Sequence, residues 1–261
     1  MVLRNKMNSE KINPKLTQSF VEDVLKKGKE GVYRVEVKVG DRVIPIDVYP
    51  EVFPPKSDYS VSSRSLFEAF GNLKGLEVAD IGSGSGIESI VAILAGAIHV
   101  DATDISSVAV ECTEHNVELN NLGNEISIYK GDLFSALPKK KYDLIIANLP
   151  IVNFKPEQES DITGALYDPD FTLHKRLLVE ARDFLSENGQ ITFSHANLQS
   201  RDTENPDRDF EVLEALITEY GYEITEKKES EALDYKWINY KIRLLPEVES
   251  LAVGEMEDYA K

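Results

Sequence analysis

Cysteine occurs once in the 261 residues, at Cys112, and tryptophan once, at Trp237. A single thiol excludes a disulfide framework and a cysteine-rich zinc site, and it suits a reducing compartment. Long apolar runs are also missing, and nothing reaches the roughly 18 residues needed to span a bilayer. The opening Met1-Val2-Leu3-Arg4-Asn5-Lys6 leads into no apolar signal core, so the expected location is cytoplasmic. Basic residues are scarce: 29 Lys and Arg against 46 Asp and Glu give a net charge of −17. A surface of that sign repels phosphate backbones and lowers the expectation of a DNA or RNA partner. A local basic groove can sit on an acidic protein, but the longest basic run, Lys139-Lys140-Lys141, is short. What remains is 42% hydrophobic and 29% charged, the balance of a chain that buries a core.

Asn13-Pro14 reads as an N-cap followed by proline at the first helical position. Leu16, Phe20, Val21, Val24 and Leu25 continue at helical spacing. Residues 32–48 read as a β-hairpin: Tyr33, Val35, Val37 and Val39 alternate with polar residues, Gly40-Asp41 turns, and Ile44, Ile46 and Val48 alternate on the return. Pro45 predicts an edge position for that second strand. Tyr49 to Pro55 is a stiff connector, and Ser62 to Phe70 reads as a helix. From Leu76 the pattern alternates, with strands predicted at 76–81, 98–103, 125–130, 142–147 and 189–194. Helices are predicted at 86–96, 106–121 and 170–186, the last from Leu177, Leu178, Ala181, Phe184 and Leu185 on one face. Short apolar strands alternating with helices predict a parallel sheet covered on both faces. A helix at 209–220 precedes strands at 222–229 and 236–244, close enough to form a hairpin. The expected organisation is an N-terminal helix, hairpin and covering segment at 1–75, an α/β domain at 76–245 and an acidic tail at 246–261.

The first strand of the α/β part runs into Asp80-Ile81-Gly82-Ser83-Gly84-Ser85-Gly86-Ile87, with a helix after it. Glycines let the backbone turn sharply and approach a ligand closely, at the carboxyl end of the sheet. A dinucleotide fingerprint needs G-x-G-x-x-G, whereas Gly82, Gly84 and Gly86 give G-x-G-x-G, and Ile87 stands where the third glycine belongs. Asp80 at this turn opposes a pyrophosphate and favours a cationic ligand, such as the sulfonium and amino groups of S-adenosyl-L-methionine. The alternative is that Asp80 braces the loop. Asp104, with Ile105 behind it, ends the second strand about 20 residues on, where an acid binds ribose hydroxyls. Asp104 would equally cap the next helix, together with Ser106 and Ser107, and Asp101 is its rival for the ribose. Asp132 follows the third strand and is placed to accept from an adenine amino group, with Leu133 packing on the ring; Gly131-Asp132 is also an ordinary turn pair.

Together these residues resemble the class I S-adenosylmethionine-dependent methyltransferases over about residues 76–245. The resemblance implies an α/β, Rossmann-like fold: a seven-stranded, mostly parallel sheet with helices on both faces and the last strand inserted antiparallel. Ala147-Asn148-Leu149-Pro150-Ile151 looks like the N-P-P-Y motif of amino-directed enzymes such as the release-factor glutamine methyltransferases. Thr113, Asn116 and Asn120 resemble that subgroup's A-x-x-N-x-x-x-N helix. Val52-Phe53-Pro54-Pro55-Lys56-Ser57-Asp58 resembles the segment that helps cover the cofactor there, which makes Phe53 a candidate contact. Leu149 and Ile151 replace the first proline and the aromatic, so the part that packs on a planar acceptor is missing unless Phe154 supplies it.

The resemblance implies methyl transfer governed by positioning and exclusion of water rather than by a catalytic triad. Asn148 would accept a hydrogen bond from the nucleophile's N–H, with Pro150 in the same motif; a strand-closing loop residue is the alternative. His195, after the fifth strand, is the candidate base, against the plainer reading of a solvated loop histidine. The four histidines lack metal-ligand spacing, and Cys112 and Trp237 read as core. The long segment 151–169 is a candidate substrate lid. The expected activity is S-adenosylmethionine-dependent methylation of a nitrogen on a protein side chain, a peptide or a small molecule. The alternatives are oxygen- or carbon-directed transfer, or a non-catalytic cofactor-binding partner. No feature of the pattern sets an oligomeric state.

Overall fold

A computed structural model describes residues 22, 26, 28, 29, 31–55, 61–155, 160–232 and 234–246. The helix predicted from Asn13, the segment Lys56-Ser57-Asp58 and nearly all of the acidic tail lie outside the described residues. Strands β1 (Tyr33–Val39) and β2 (Arg42–Val48) pair antiparallel from Tyr33↔Val48 to Val39↔Arg42. Gly40 makes the turn at φ 57°, a conformation that costs glycine little. Helix α1 (Val61–Phe70) follows.

The α/β part begins with β3 (Glu77–Ile81), α2 (Ile87–Leu94), β4 (His99–Asp104), α3 (Ser107–Leu119), β5 (Ile126–Lys130) and β6 (Tyr142–Ala147). It continues through the short α4 (Asp161–Gly164), α5 (Thr172–Glu180), β7 (Leu185–Ala196) and α6 (Arg208–Glu219), and ends with β8 (Tyr222–Ala232) and β9 (Tyr235–Leu244). The seven-stranded sheet has the order β5-β4-β3-β6-β7-β9-β8. β9 is antiparallel to both neighbours, β7 and β8, and the remaining pairs are parallel. Strand residues alternate between two cores, as the period of two requires. Val78, Leu144 and Ile146 pack under α1, α2 and α3 together with hairpin residues Ile44, Ile46 and Val48. Ala79, Ile145, Ala147 and Ile191 pack on the other side with Leu177 and Leu178 of α5 and Leu213 and Ile217 of α6.

Asn116 of α3 and Asn120 at its C-terminal cap tie the hairpin to this sheet. Asn116 Nδ2 donates to the carbonyls of Asp47 and Ser85, both at 2.9 Å, while its Oδ1 accepts from the Asp47 N–H at 2.8 Å. Asn120 Nδ2 donates to the Pro45 carbonyl at 3.0 Å. Beside them the Arg34 guanidinium donates to both oxygens of Asp47 at 2.7 and 2.8 Å, and holds that carboxyl down at about 2, with His115 assisting. A depressed folded pKa contributes stability above the unfolded value, lost as pH falls through the folded one. We therefore expect wild type to lose stability between pH 3.8 and about 2, and Asp47→Asn to show a smaller loss over that window in urea titrations.

The expected helix at 170–186 is shorter than its apolar spacing predicts. α5 stops at Glu180, a 3-10 turn covers Ala181–Asp183, and Leu185 already pairs with Tyr142. Phe184 stacks on Phe134 at 4.8 Å, and its carbonyl accepts the Tyr142 N–H at 2.7 Å. Phe184 is apolar because it stacks in the core, and Leu185 because it enters the sheet. β7 consequently begins at Leu185, ahead of the predicted 189, with an irregularity between the Tyr142↔Leu185 and Leu144↔Gln190 pairs. Gly189 sits where an added Cβ would meet the Tyr142 carbonyl oxygen at 2.7 Å, so this bulge closes only around a bare backbone.

Candidate functional site

The loops after β3, β4, β5 and β6 all open at the carboxyl edge of the parallel strands, where the reversal of strand order leaves a crevice. The first loop is shaped by three glycines in left-handed conformations: Gly82 (φ 77°), Gly84 (φ 55°) and Gly86 (φ 79°). Its amides are held from the next strand. Gly82 and Ser83 N–H donate to the Thr103 carbonyl at 2.9 and 3.0 Å, and the Gly84 N–H donates to Asp104 Oδ2 at 2.9 Å. Thr113 of α3 closes the outside, donating to the Gly84 carbonyl at 3.1 Å and lying 2.9 Å from where a Cβ on Gly86 would sit. Asp104 also accepts the Ser106 N–H at 2.9 Å, while Ser106 itself caps α3 through Ala109 N–H at 3.2 Å. Helix capping is therefore Ser106's task, and Asp104 braces the glycine loop. Burial pushes the Asp104 carboxyl upward against the pull of those N–H bonds.

A cavity of about 290 Å³ lies over this crevice. Phe53, Gly82, Ser83, Gly84, Asp104 and Ile105 line it, as do Asp132, Leu133, Asn148 and Pro150. Asp80, Gly86 and His195 do not. Asp80 stands two residues after Val78 on the strand face that α2 covers, so its side chain meets Ser89 Oγ at 2.5 Å beneath the helix. Burial, reinforced by the Glu88 charge, drives its carboxyl upward, and Oδ1 has no hydrogen-bond partner. Gly86 faces Thr113. His195 corrects the expectation of a solvated loop residue: β7 runs on to Ala196, His195 pairs with Ile238, and its ring packs among Phe171, Phe210 and His174. That burial, with His174 beside it, lowers its pKa and keeps it neutral.

The described parts of the segment, residues 151–155 and 160–169, supply part of the cavity wall. Ser160 and Thr163 form a capping box on α4, and Ser106 Oγ donates to Asp161 Oδ2 at 2.5 Å. Ile151, Gly164, Ala165 and Leu166 face the cavity. Beyond it, Asp168 accepts the N–H groups of Leu173 and His174 and bonds His174 Nδ1 at 2.7 Å, anchoring α5. Phe154 is 42% exposed and does not line the cavity; the aromatics there are Phe53 and Trp237.

The model of the family described as ribosomal protein L11 methyltransferase (PrmA) matches residues 65–162. A ribosomal protein L11 methyltransferase of Lactobacillus johnsonii is 39% identical over 122 residues, 47% of this chain and 32% of that protein. One of Desulfitobacterium hafniense is 33% identical over 168 residues, covering 64% and 43%. The chain spans less than half the length of these curated relatives. The crystal structure of the ribosomal protein L11 methylase of Lactobacillus delbrueckii subsp. bulgaricus superposes with a TM-score of 0.51 at 27% identity, covering 70% of this chain and 76% of that one. Trm5 of Methanocaldococcus jannaschii, at 20% identity and TM-score 0.55 over 82% of this chain and 56% of its own, shares the fold. The chain carries a class I S-adenosylmethionine-dependent methyltransferase domain.

Two groups of this methyltransferase domain escape a reading of motifs. Glu88, in the first turn of α2, is 5% exposed and lines the cavity beside Asn148, whose Nδ2 donates to Glu88 Oε1 at 2.8 Å and to Ser63 Oγ at 3.1 Å. An acid there reads from sequence as a complement to the helix dipole. Arg176 of α5 donates to both oxygens of Asp132 at 3.0 and 3.1 Å, so the acid predicted to meet an adenine amino group already holds a cationic partner. Trp237 comes from β9, and its position in the cavity follows from that strand's insertion beside β7. Among the described residues no cluster of three His, Cys, Asp or Glu side chains is placed to hold a metal ion, and no helix is long and apolar enough to cross a membrane. Burial pushes the Cys112 thiol up to about 12, which leaves it unreactive.

Proposed function

We propose that the protein transfers a methyl group from S-adenosylmethionine to a nitrogen, and that the acceptor is an amine of a protein. The observation that carries this reading is the sign of the cavity wall. Glu51, Asp104 and Asp161 line it, Asp132 adds a carboxylate already paired to Arg176, and none of the described lining residues is Lys, Arg or His. A phosphate-bearing dinucleotide would be repelled there, whereas a sulfonium, an ammonium group and a cationic amine acceptor are each attracted. The residues present fit the cofactor: Gly82, Ser83 and Gly84 offer close backbone approach, Asp104 would accept ribose hydroxyls, and Phe53 and Leu133 would supply apolar contact.

When bound, the cofactor supplies a methyl group on a positively charged sulfur that departs as a neutral thioether, so no acid is needed to assist the leaving group. The chain's own task is then positioning. The acceptor ammonium gives one proton to solvent on entering; Asn148 Oδ1 then accepts an N–H of the neutral amine and turns its lone pair toward the methyl group, and a second proton leaves to solvent after the C–N bond has formed. Ile151, Leu166 and Trp237 keep water from the reacting end. Ile151 in place of an aromatic favours a tetrahedral amine over a planar amide or base. The L11 methyltransferases among the relatives support a protein acceptor, and the amino-directed character of Asn148-Leu149-Pro150-Ile151 rests on the motif.

Calorimetry with S-adenosylhomocysteine and with NAD tests the cofactor, with micromolar binding expected for the first alone. Incubating the protein with methyl-labelled S-adenosylmethionine and a dialysed protein extract tests the acceptor. Label in acid-stable protein bands is the expected result, and binding without any labelling would leave a non-catalytic cofactor-binding protein.

A further inference from the structure

Glu88 has no task in the cofactor cradle described above, yet it is a buried carboxylate on the cavity wall. Burial pushes its pKa up, and the hydrogen bonds from Ser63 and Asn148 pull the other way. Those two donors give it a function. A primary amide is nearly symmetrical in shape, and a loop asparagine can present either its oxygen or its NH₂ to a ligand. Here Asn148 Nδ2 is held on one side by Glu88 Oε1 at 2.8 Å and on the other by Ser63 Oγ at 3.1 Å. Both oxygens accept from Nδ2, so the NH₂ end is engaged and one orientation of the amide is favoured. The end left for a ligand is Oδ1.

We propose that Glu88 is a positioning residue for methyl transfer: by holding Asn148 Nδ2 it fixes the amide so that Oδ1 meets the N–H of the acceptor. A flipped amide would set its own NH₂ against that N–H, and the acceptor nitrogen would lose its aim at the methyl group. This rests on the role given to Asn148 under the proposed function. α1, α2 and the loop after β6 thereby act as one unit: Ser63, Glu88 and Asn148 come from three separate elements and converge on a single amide group.

The test uses the whole protein, the substitutions Glu88→Leu and Glu88→Gln, and three readouts. The first is the side-chain NH₂ pair of Asn148 in a 1H–15N spectrum, assigned by its absence from Asn148→Ala. In wild type it should exchange with solvent about tenfold more slowly than in Glu88→Leu, and Glu88→Gln, whose amide oxygen still accepts, should retain the slow exchange. The second is labelling of a dialysed protein extract, expected to fall about 10- to 100-fold in Glu88→Leu and to recover most of its rate in Glu88→Gln. The third is S-adenosylhomocysteine affinity, expected to stay within about threefold in both. Unchanged Asn148 signals in Glu88→Leu would overturn the proposal. So would a Glu88→Gln variant with wild-type signals and no recovery of rate, which would mean that the charge itself acts on the acceptor. A large loss of S-adenosylhomocysteine affinity would make Glu88 a cofactor ligand instead. Should Glu88→Leu fail to fold, rapid exchange of the Asn148 amide in wild type is enough to reject the idea. A locked amide in a wild-type protein that labels nothing would instead defeat the methyltransferase reading.

Discussion

Asp104→Ala is expected to weaken S-adenosylhomocysteine binding about 100-fold, or about 2.8 kcal/mol, in a calorimetric titration. Two losses combine. The Gly84 N–H, now held at 2.9 Å by Oδ2, and the Ser106 N–H, held at 2.9 Å by Oδ1, lose a charged acceptor in a mostly enclosed place, where such bonds are each worth about 1.5–3 kcal/mol. The glycine loop then relaxes from the curve that brings its backbone to the ligand. The carboxylate for ribose hydroxyls disappears as well. Asp104→Asn separates the two: its oxygen can still accept one N–H, so the loop is better preserved, and the expected loss is about tenfold. Wild-type affinity in Asp104→Ala would remove Asp104 from the site.

Asn148→Ala is expected to act on the other half of the reaction. Extract labelling should drop about 100-fold, while S-adenosylhomocysteine affinity changes by no more than about threefold. The separation follows from the contacts, since Asn148 closes the loop after β6 and is tied to Glu88 and Ser63, whereas Asp104 is tied to the backbone of the glycine loop. The substitution also leaves Glu88 buried with one donor fewer, a cost of about 1–3 kcal/mol that thermal unfolding should register as a lower midpoint. A truncated side chain that labels at the wild-type rate would show that the acceptor is held by something else, the Leu149 carbonyl being the nearest candidate in sequence.

The fold was legible because it is written in local patterns. Alternating Val and Ile residues marked the hairpin to within a residue, and the short apolar runs at 76–81, 98–103, 125–130 and 142–147 fell where β3 to β6 are found. Three glycines in five residues announced a sharp turn, found with Gly82, Gly84 and Gly86 all in left-handed conformations. Errors arose where a residue's role depends on something far away in sequence. Phe184 and Leu185 fit a helical stripe, but their partners are Phe134 and Tyr142, which no local window contains. Asp80 looked like the end of a strand facing a ligand; the register of β3 turns it beneath α2 toward Ser89. His195 was read as loop because nothing nearby signals that β9 pairs along β7 as far as Ala196. Glu88 needs Asn148, 60 residues on, before it means anything.

The place of β9 has a consequence for how the chain is made. β9 lies between β7 and β8, and Ile238, Tyr240 and Ile242 fill the core that Ile191 and Phe193 begin. Until residues 235–244 leave the ribosome, that side of the sheet ends in an unpaired apolar strand, and β8 has nothing to attach to. A stop codon anywhere before Tyr235 would therefore do more than shorten the protein. It would strand a half-built sheet with its adhesive edge exposed, the kind of species that chaperones retain and proteases clear.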